Sequence, residues 1–281
     1  MSEDIRQQSR VRWTATAHGW GKRADQLRRA TMPVSTWMVD AVGPQPGDTL
    51  LELAAGPGDT GFLAAELIRP GGTLICSDFV PEMLNVAQER AKALGLDNVR
   101  FKQIDAETGI DVEAASIDGV LCRWGYMLMA DPVTALAQTR RVLKPGRRLA
   151  LAAWTAPDEN LWSALPVREL VARGLEERPD PDAPGQFAWA DQRVIADRLE
   201  EAGFVDFELA AVDFTVSYHS LDDWWASTRD LSMRFADATA ALDESTTAEI
   251  RAALAEAAGP FTDGDGAIAI PARTWTAVAT A

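Results

Sequence analysis

The first glycine-rich segment of the chain carries residue types that could bind a charged ligand. Residues 49–54 are mostly apolar, with Glu52 among them, and predict a short strand. A turn with Gly56 and Gly58 follows, and Asp59 begins a predicted helix. The glycines leave room for a ligand against the backbone, and the first turn of a helix offers unpaired N–H groups. The segment therefore predicts a binding turn between a strand and a helix.

Two further acidic residues follow the next two predicted strands. Residues 73–77 and 99–104 predict these strands, and Asp78 and Asp105 come directly after them. In a doubly wound parallel sheet the carboxyl ends of the strands share one edge, where ligands bind. A carboxylate at Asp78 could accept hydrogen bonds from two ribose hydroxyls, and an acidic side chain at Asp105 could accept the amino group of adenine. The spacing predicts a site for an adenosine-containing ligand.

The glycine spacing alone leaves two kinds of adenosine ligand open. Gly56, Gly58 and Gly61 also fit the fingerprint of nicotinamide dinucleotide sites, so a nicotinamide-dependent oxidoreductase is one alternative. Glu52 opposes that alternative, because a carboxylate disfavours a pyrophosphate and favours a ligand with an ammonium group and a sulfonium. Glu52 therefore favours S-adenosylmethionine.

Each of these acidic residues also has a purely structural interpretation. Glu52 could be a buried carboxylate bonded by backbone amides, Asp78 could cap the following helix, and Asp105 could cap a short turn. Phe79 could belong to the core, although its place beside Asp78 favours stacking on adenine, with Met83 covering the other side.

Taken together, the motifs resemble the class I S-adenosylmethionine-dependent methyltransferase family, in particular its ubiquinone/menaquinone-biosynthesis-like branch that acts on small molecules. The resembling segments are residues 51–58 (first motif), 77–79 with Met83 (ribose-binding element), 104–107 (adenine-binding element) and 118–122 (fourth strand). The resemblance covers residues 46–155 well and the rest in outline. One departure is Ala54-Ala55, where the family often has a glycine and a cysteine or second small residue.

The resemblance implies an α/β fold with a doubly wound, mostly parallel sheet of seven strands in the order 3-2-1-4-5-7-6. Strand 7 is expected to be antiparallel, and helical insertions are expected to form a lid. The residues expected to contact S-adenosylmethionine are Trp20, Glu52, Ala54, Gly56, Gly58, Asp78, Phe79, Met83, Asp105, Ala106 and Arg123.

A single methyltransferase domain is predicted over residues 1–281. Its expected parts are an N-terminal helical cap (1–45), a cofactor-binding core (46–155), helical lid elements (156–203 and 219–262) and the final strands (204–216 and 267–280).

Three residues are candidates for a catalytic role. Arg123 follows the fourth strand, in a loop that faces the transferable methyl group in this family, and could orient the cofactor or a substrate oxygen or form a surface ion pair. Tyr126 lies in the same loop and could shape the acceptor pocket or belong to the core. His18 lies between Trp13 and Trp20 and could act as a general base or be structural.

The chain has ten tryptophans, concentrated in the segments that should cap the sheet. This concentration predicts an aromatic-walled pocket. We therefore expect methyl transfer, without a metal, to oxygen or carbon of a small planar or apolar acceptor. A non-catalytic binding protein on the same fold is a second alternative.

The net charge, the cysteines and the lack of long apolar runs restrict the classes of partner and the expected location. The net charge of −15 disfavours nucleic acid and anionic membrane surfaces. Cys76 and Cys122 lie in predicted strands and should be buried, reduced thiols. The polar N-terminus does not match a signal peptide, and no apolar run reaches the length of a membrane span, so a cytoplasmic location is expected.

Overall fold

The computed structural model describes residues 2–180 and 183–281. The helices in the described residues are α1 (Ser2–Val42), α2 (Asp59–Leu67), α3 (Pro81–Ala93), α4 (Pro132–Val142), α5 (Leu161–Ala172), α6 (Gln192–Glu201), α7 (Leu221–Leu231), α8 (Met233–Ala240) and α9 (Glu244–Ala258). The strands are β1 (Thr49–Glu52), β2 (Thr73–Asp78), β3 (Val99–Gln103), β4 (Ile117–Arg123), β5 (Leu143–Trp154), β6 (Val205–Tyr218) and β7 (Ile268–Thr280).

The strands form one sheet in the order β3-β2-β1-β4-β5-β7-β6. Strands β1 to β5 pair in parallel, and β7 runs antiparallel to both β5 and β6. The predicted fold class is therefore confirmed. Because β1, β2 and β3 are parallel neighbours, their last residues lie along one edge of the sheet.

The central strands are apolar because helices cover both faces of the sheet. β1 and β4 are almost entirely buried, whereas the edge strand β3 has only half-buried and exposed side chains, and the edge strand β6 alternates between buried and exposed side chains near its end. Continuous apolar runs are typical of parallel strands that are buried on both faces. This burial holds the central strands in place, and the candidate site residues lie at the ends of these strands.

The strand β5 begins earlier than the sequence suggested. In the sequence, Pro145-Gly146 favours a turn and the apolar run from Leu149 favours a strand that starts there, but β5 already starts at Leu143. Its pairing with β4 shifts between Leu143 and Arg148, so the intervening residues form a bulge, and Gly146 takes a positive φ of 76° there. The predicted turn is real in its backbone geometry but lies inside the strand.

The helix α1 lies between the core helix α3 and the lid helix α7. Two glycines permit this close packing: a Cβ on Gly19 would lie 1.9 Å from the carbonyl oxygen of Asp230, and one on Gly21 would lie 3.1 Å from Val86 Cγ1. Arg23 also pairs with Asp230 at 2.7 Å. These contacts hold α1 across the C-terminal edge of the sheet.

Within residues 2–180 and 183–281, none of the helices combines the length and apolar character that a bilayer-spanning helix needs.

Candidate active site

The carboxylate of Glu52 is almost inaccessible at the end of β1, with 2% of the residue exposed. Its Oε1 accepts a hydrogen bond of 2.9 Å from the N–H of Gly61 in α2. No described residue donates to Oε2. Burial raises the pKa of Glu52 from 4.5 to about 8. The structural interpretation of Glu52 thus holds for one oxygen, and the other is an acceptor without a donor.

The turn after β1 needs its two glycines for different reasons. Gly56 and Gly58 both have positive φ, 52° and 89°. A Cβ on Gly58 would lie 2.4 Å from the ring of Phe62, so this glycine serves internal packing. A Cβ on Gly56 would meet no atom of the described residues within 4 Å, so the backbone of Gly56 has an open face on which a ligand could lie.

Two non-glycine residues with left-handed backbone flank this turn on neighbouring strands. Ala54 follows β1 with φ 50°, and Trp124 follows β4 with φ 59°. A Cβ on Gly125 would lie 2.8 Å from that of Ala54, so the two loops are in close contact. Such backbone conformations cost about 1–3 kcal/mol each and concentrate at functional sites. The departure from the family's glycine at Ala54 is therefore accommodated at the cost of strain.

The carboxylate of Asp78 connects the end of β2 to the glycine turn. Its Oδ2 accepts a hydrogen bond from the N–H of Gly56, and its Oδ1 accepts one from the N–H of Val80, both at 3.0 Å. Burial raises the pKa of Asp78 to about 6. Val80, not Asp78, occupies the N-cap position of α3, so the simple helix-cap interpretation does not describe Asp78.

The third acidic position, Asp105, follows β3 in a short turn. Its Oδ1 accepts a hydrogen bond of 3.1 Å from the N–H of Glu107, so the turn-capping interpretation is correct for that oxygen. Its Oδ2 lies 3.8 Å from Nη2 of Arg10 in α1. Ala106 beside it is buried, and the N–H of Ile104 donates to the carbonyl of Asp78 at 3.0 Å. Glu52, Asp78 and Asp105 thus lie at the ends of three adjacent strands.

The N-terminal helix packs over the β2 side of this edge. The side chains in this small cluster are Trp13, Ala17, Trp20, Phe79, Val80 and Met83. Trp20 also donates from Nε1 to the carbonyl of Leu231 in α7 at 3.3 Å. The structure therefore packs Trp20, Phe79 and Met83 in one cluster, and their expected contacts with the cofactor stay predictions.

The side chain of Arg123 is buried, with 10% exposed, so it does not form the surface ion pair considered as an alternative. Its Nη2 lies 3.5 Å from Oδ2 of Asp59, its Nη1 donates to Thr31 Oγ1, and its guanidinium lies 4.7 Å from the Trp124 ring. Burial lowers the pKa of Arg123. The end of β4 therefore presents a buried cation beside Asp59, the first residue after the glycine turn.

The sequence reasoning missed the residues that hold Arg123. Asp59 is the first residue of α2 and has 2% of its side chain exposed. It also pairs at 2.7 Å with Arg90, which donates at 2.6 Å to the carbonyl of Pro57 in the glycine turn. An aspartate in the first turn of a helix is common, so its type alone gave no signal. The pairing depends on contacts between distant segments.

The structure argues against Tyr126 as a catalytic residue. The residue is 2% exposed, and its hydroxyl is 2.7 Å from Oγ1 of Thr139 in α4. Its ring stacks on Trp189 with a centroid distance of 6.2 Å. The core interpretation is correct, because the hydroxyl is used in a buried contact with α4.

The structure also argues against His18 as the general base. His18 is exposed in a groove between α1 and α3, together with Glu82 and Glu89 on the exposed side of α3. Along α1 it lies thirteen positions from Thr31, the residue bonded to Arg123, which is roughly 20 Å of helix. This exposed position, away from Arg123, does not support the general-base role.

An aromatic cluster stands where β4 and β5 end. Trp124 stacks on Trp154 with a centroid distance of 4.1 Å and an interplanar angle of 13°. Trp162 in α5 and Phe214 in β6 lie 5.3 Å and 5.9 Å from Trp154. The indole nitrogen of Trp162 is buried, and no described residue accepts its hydrogen bond. We call Trp124, Trp154, Trp162 and Phe214 the aromatic wall.

Among the described residues, no three His, Cys, Asp or Glu side chains are arranged to hold a metal ion.

The sheet order and the acidic strand ends around a glycine turn define the class of S-adenosylmethionine-dependent methyltransferases. A family model described as a methyltransferase domain matches residues 44–172. A demethylmenaquinone methyltransferase of Clavibacter sepedonicus is 31% identical over 186 residues, which cover 60% of this chain and 70% of the relative. The chain belongs to this methyltransferase family, and its cofactor is S-adenosylmethionine.

Two further similarities agree with this assignment. A ubiquinone/menaquinone biosynthesis C-methyltransferase, UbiE, of Cellvibrio japonicus is 29% identical over 180 residues, covering 60% of this chain and 72% of the relative. The crystal structure of the YcgJ protein of Bacillus subtilis matches with a TM-score of 0.58 and 19% identity, covering 88% of this chain and 97% of that one, which shows the fold. The family decides against the oxidoreductase and non-catalytic alternatives.

Proposed function

We propose that this enzyme methylates a carbon or oxygen of a small aromatic acceptor that carries a ring oxygen, of the quinol or phenol type. The observation that carries the proposal is the buried indole N–H of Trp162, which lacks an acceptor among the described residues and belongs to the aromatic wall. A buried donor without a partner costs about 1–3 kcal/mol, and an acceptor oxygen would remove that cost. The relatives named for demethylmenaquinone and C-methylation support a ring of this kind.

The residues at the strand ends fit S-adenosylmethionine. Oε2 of Glu52 has no described donor and suits an ammonium group, while the open face of Gly56 leaves space beside the backbone. In our proposal, Asp78 accepts from the ribose hydroxyls and Asp105 from the adenine amino group. The remaining cofactor contacts proposed are those of Trp20, Ala54, Gly58, Phe79, Met83, Ala106 and Arg123.

The buried cation Arg123 is placed to pair with the carboxylate of the cofactor. The cofactor brings a carboxylate as well as two cationic groups, and a buried carboxylate needs a partner. Arg123 lies near both Glu52 and Asp59, which influence its pKa electrostatically. We assign Arg123 to the cofactor carboxylate, with Asp59 and Thr31 holding the guanidinium in place.

When bound, the cofactor supplies an electrophilic methyl group carried by a sulfonium. Transfer of the methyl group leaves the sulfur as a neutral thioether. The protein then has to align the acceptor and exclude water. In our proposal a planar acceptor lies against the partly exposed rings of Trp124 and Trp162, which the buried Trp154 supports, and the Trp162 N–H orients its oxygen. Because His18 and Tyr126 lie elsewhere, we propose that the acceptor reacts through its own ionised hydroxyl or an adjacent ring carbon.

Transfer of a labelled methyl group tests this proposal. Purified enzyme is incubated with methyl-labelled S-adenosylmethionine and a panel of hydroquinones, phenols, aliphatic amines and thiols. We expect label in the hydroquinones or phenols. Label confined to amines or thiols, or no transfer to any aromatic acceptor despite cofactor binding, would contradict the proposed acceptor class.

A matched pair of variants connects the activity to the aromatic wall. Trp162→Phe keeps an aromatic ring and removes the N–H, whereas Trp37→Phe makes the same change in α1, where Trp37 packs against the core. We expect only Trp162→Phe to raise the KM of the aromatic acceptor. Equal effects of the two substitutions would indicate a general loss of packing.

A further inference from the structure

One face of the N-terminal helix is directed at the ends of β2 and β3. Its residues are Arg6, Arg10, Trp13, Ala17 and Trp20, spaced alternately four and three apart. That spacing places side chains on one side of a helix. Trp13, Ala17 and Trp20 pack with Phe79, Val80 and Met83, and Arg6 interacts electrostatically with Asp105 and Glu107. This face of α1 therefore covers the end of the site proposed for adenine.

Arg10 contacts both residues that we place against adenine. Its guanidinium carbon lies 5.5 Å from the ring centroid of Phe79, which follows β2. Its Nη2 lies 3.8 Å from Oδ2 of Asp105, which follows β3. Arg10 of α1 thus lies between the residues that follow two adjacent strands.

The Arg10 contacts are loose enough to admit a ring. A distance of 3.8 Å exceeds a hydrogen bond, so Oδ2 of Asp105 keeps its capacity to accept from an amino group. A planar ring stacked on both sides needs roughly 7 Å between its neighbours, or two van der Waals contacts of about 3.5 Å. The guanidinium of Arg10 would have to withdraw by about 1.5 Å, and its side chain is 41% exposed and able to do so.

Charge and shape both favour arginine in this position. A guanidinium is planar and stacks on aromatic faces, which a lysine ammonium cannot do in the same way. Asp105 provides an anion that keeps the cation near the ring, and Phe79 provides the opposite wall. The three side chains come from α1 and from the ends of β2 and β3, so adenine binding would also fix α1.

We propose that Arg10 is a cofactor-binding residue that stacks on the outer face of adenine, opposite Phe79, and thereby closes the adenine end of the site with α1. This inference rests on the proposed placement of the cofactor at Phe79 and Asp105. It assigns to the N-terminal helix a direct part in recognising the nucleobase, separate from the acceptor site at the aromatic wall.

Calorimetric titration with S-adenosylhomocysteine and with adenosine tests this role without turnover. The proteins are the wild type, Arg10→Ala, Arg10→Lys and the control Arg29→Ala, which removes an exposed arginine from the same helix. We expect Arg10→Ala to weaken both ligands about five-fold, in line with a stacked cation. Arg10→Lys should recover only part of the loss, and Arg29→Ala should bind as the wild type does.

The outcomes separate this inference from the proposed function. If the wild type binds neither ligand, the cofactor placement fails and this role of Arg10 fails with it. If the wild type binds but Arg10→Ala binds equally well, Arg10 does not contact adenine. Tighter binding by Arg10→Ala would also overturn the inference, because Arg10 would then compete with the cofactor for Phe79 and Asp105.

Discussion

Asp78 Oδ2 accepts a hydrogen bond of 3.0 Å from the backbone N–H of Gly56, which ties the end of β2 to the turn after β1. The second oxygen of Asp78 is bonded to Val80, so the carboxylate has a fixed orientation. Two adjacent strands therefore present a preassembled carboxylate and an exposed piece of backbone side by side. Preorganisation of this kind lowers the cost of ordering the site when a ligand binds.

The open face of Gly56 predicts a substitution that harms binding more than folding. Gly56→Ala places a Cβ in the space assigned to the cofactor, and its positive φ costs about 1–2 kcal/mol of stability. We expect at least a ten-fold loss of affinity for S-adenosylhomocysteine, measured by calorimetry, with a melting temperature lowered by only a few degrees.

Gly95 provides the matched control for that substitution. It follows α3 with φ 69°, and a Cβ there would also meet no atom of the described residues within 4 Å. Gly95→Ala should therefore cost a similar amount of stability and leave cofactor affinity unchanged. Similar affinities for the two variants would show that Gly56 has no special role in binding.

The raised pKa of Glu52 predicts that the cofactor-free protein loses stability as the pH rises. The pKa of Glu52 is about 8 in the folded state against 4.5 ordinarily, so between these values the folded state binds more protons than the unfolded state. The free energy of unfolding must then fall with increasing pH across this window. Asp78, with a pKa raised to about 6 from 3.8, acts in the same direction at lower pH.

Denaturant unfolding at several pH values measures this effect. Between pH 5 and pH 8 the wild type should lose up to about 4 kcal/mol relative to Glu52→Gln, which lacks the titrating carboxyl. Parallel pH profiles for the two proteins would mean that Glu52 is ionised in the folded state at neutral pH. That result would contradict a pKa of Glu52 raised by burial.

The unpaired indole N–H of Trp162 predicts that removing it weakens acceptor binding while it costs little stability. Trp162→Phe removes a buried donor that has no acceptor among the described residues, so the loss of packing should be partly offset in the free enzyme. Binding of the acceptor should weaken by roughly 5–100-fold, the effect of losing one hydrogen bond to an otherwise unpaired group. Steady-state kinetics should show this as a raised acceptor KM.

The cofactor affinity provides the control for Trp162. Because the aromatic wall lies on β4, β5 and their neighbours, Trp162→Phe should bind S-adenosylhomocysteine like the wild type. An unchanged acceptor KM would show that no acceptor oxygen bonds to the Trp162 N–H.

The strands could be predicted from the sequence because their signals are local, whereas the order of the strands was implied by the family resemblance. Apolar runs mark the buried strands, and glycine or proline marks most of the turns between them. Glu52, Asp78 and Asp105 could be found by counting from the ends of those strands, since parallel strands end at one edge. The start of β5 was misplaced, because a bulge and a turn have the same residue signals at Pro145-Gly146. The ends of β1 and β6 were each displaced by two residues.

The orientations of individual side chains could not be predicted, because they depend on packing between distant segments. Tyr126 turns toward Thr139 in α4 and away from the site, and the exposed groove at His18 exists only because α1 lies on α3. The pairing of Asp59 with Arg123 joins the start of α2 to the end of β4, which are more than sixty residues apart in the chain. None of these arrangements leaves a periodic pattern in the sequence.

The most direct test of the account is calorimetric titration of S-adenosylmethionine into the wild type and Asp78→Asn at pH 7.5, where Asp78, with a pKa of about 6, should be ionised. We expect one cofactor to bind per wild-type chain, and at least ten-fold weaker binding by Asp78→Asn, since hydrogen bonds to a charged group contribute about 1.5–3 kcal/mol. Failure of the wild type to bind, or equal affinities for the two proteins, would contradict the proposed cofactor site.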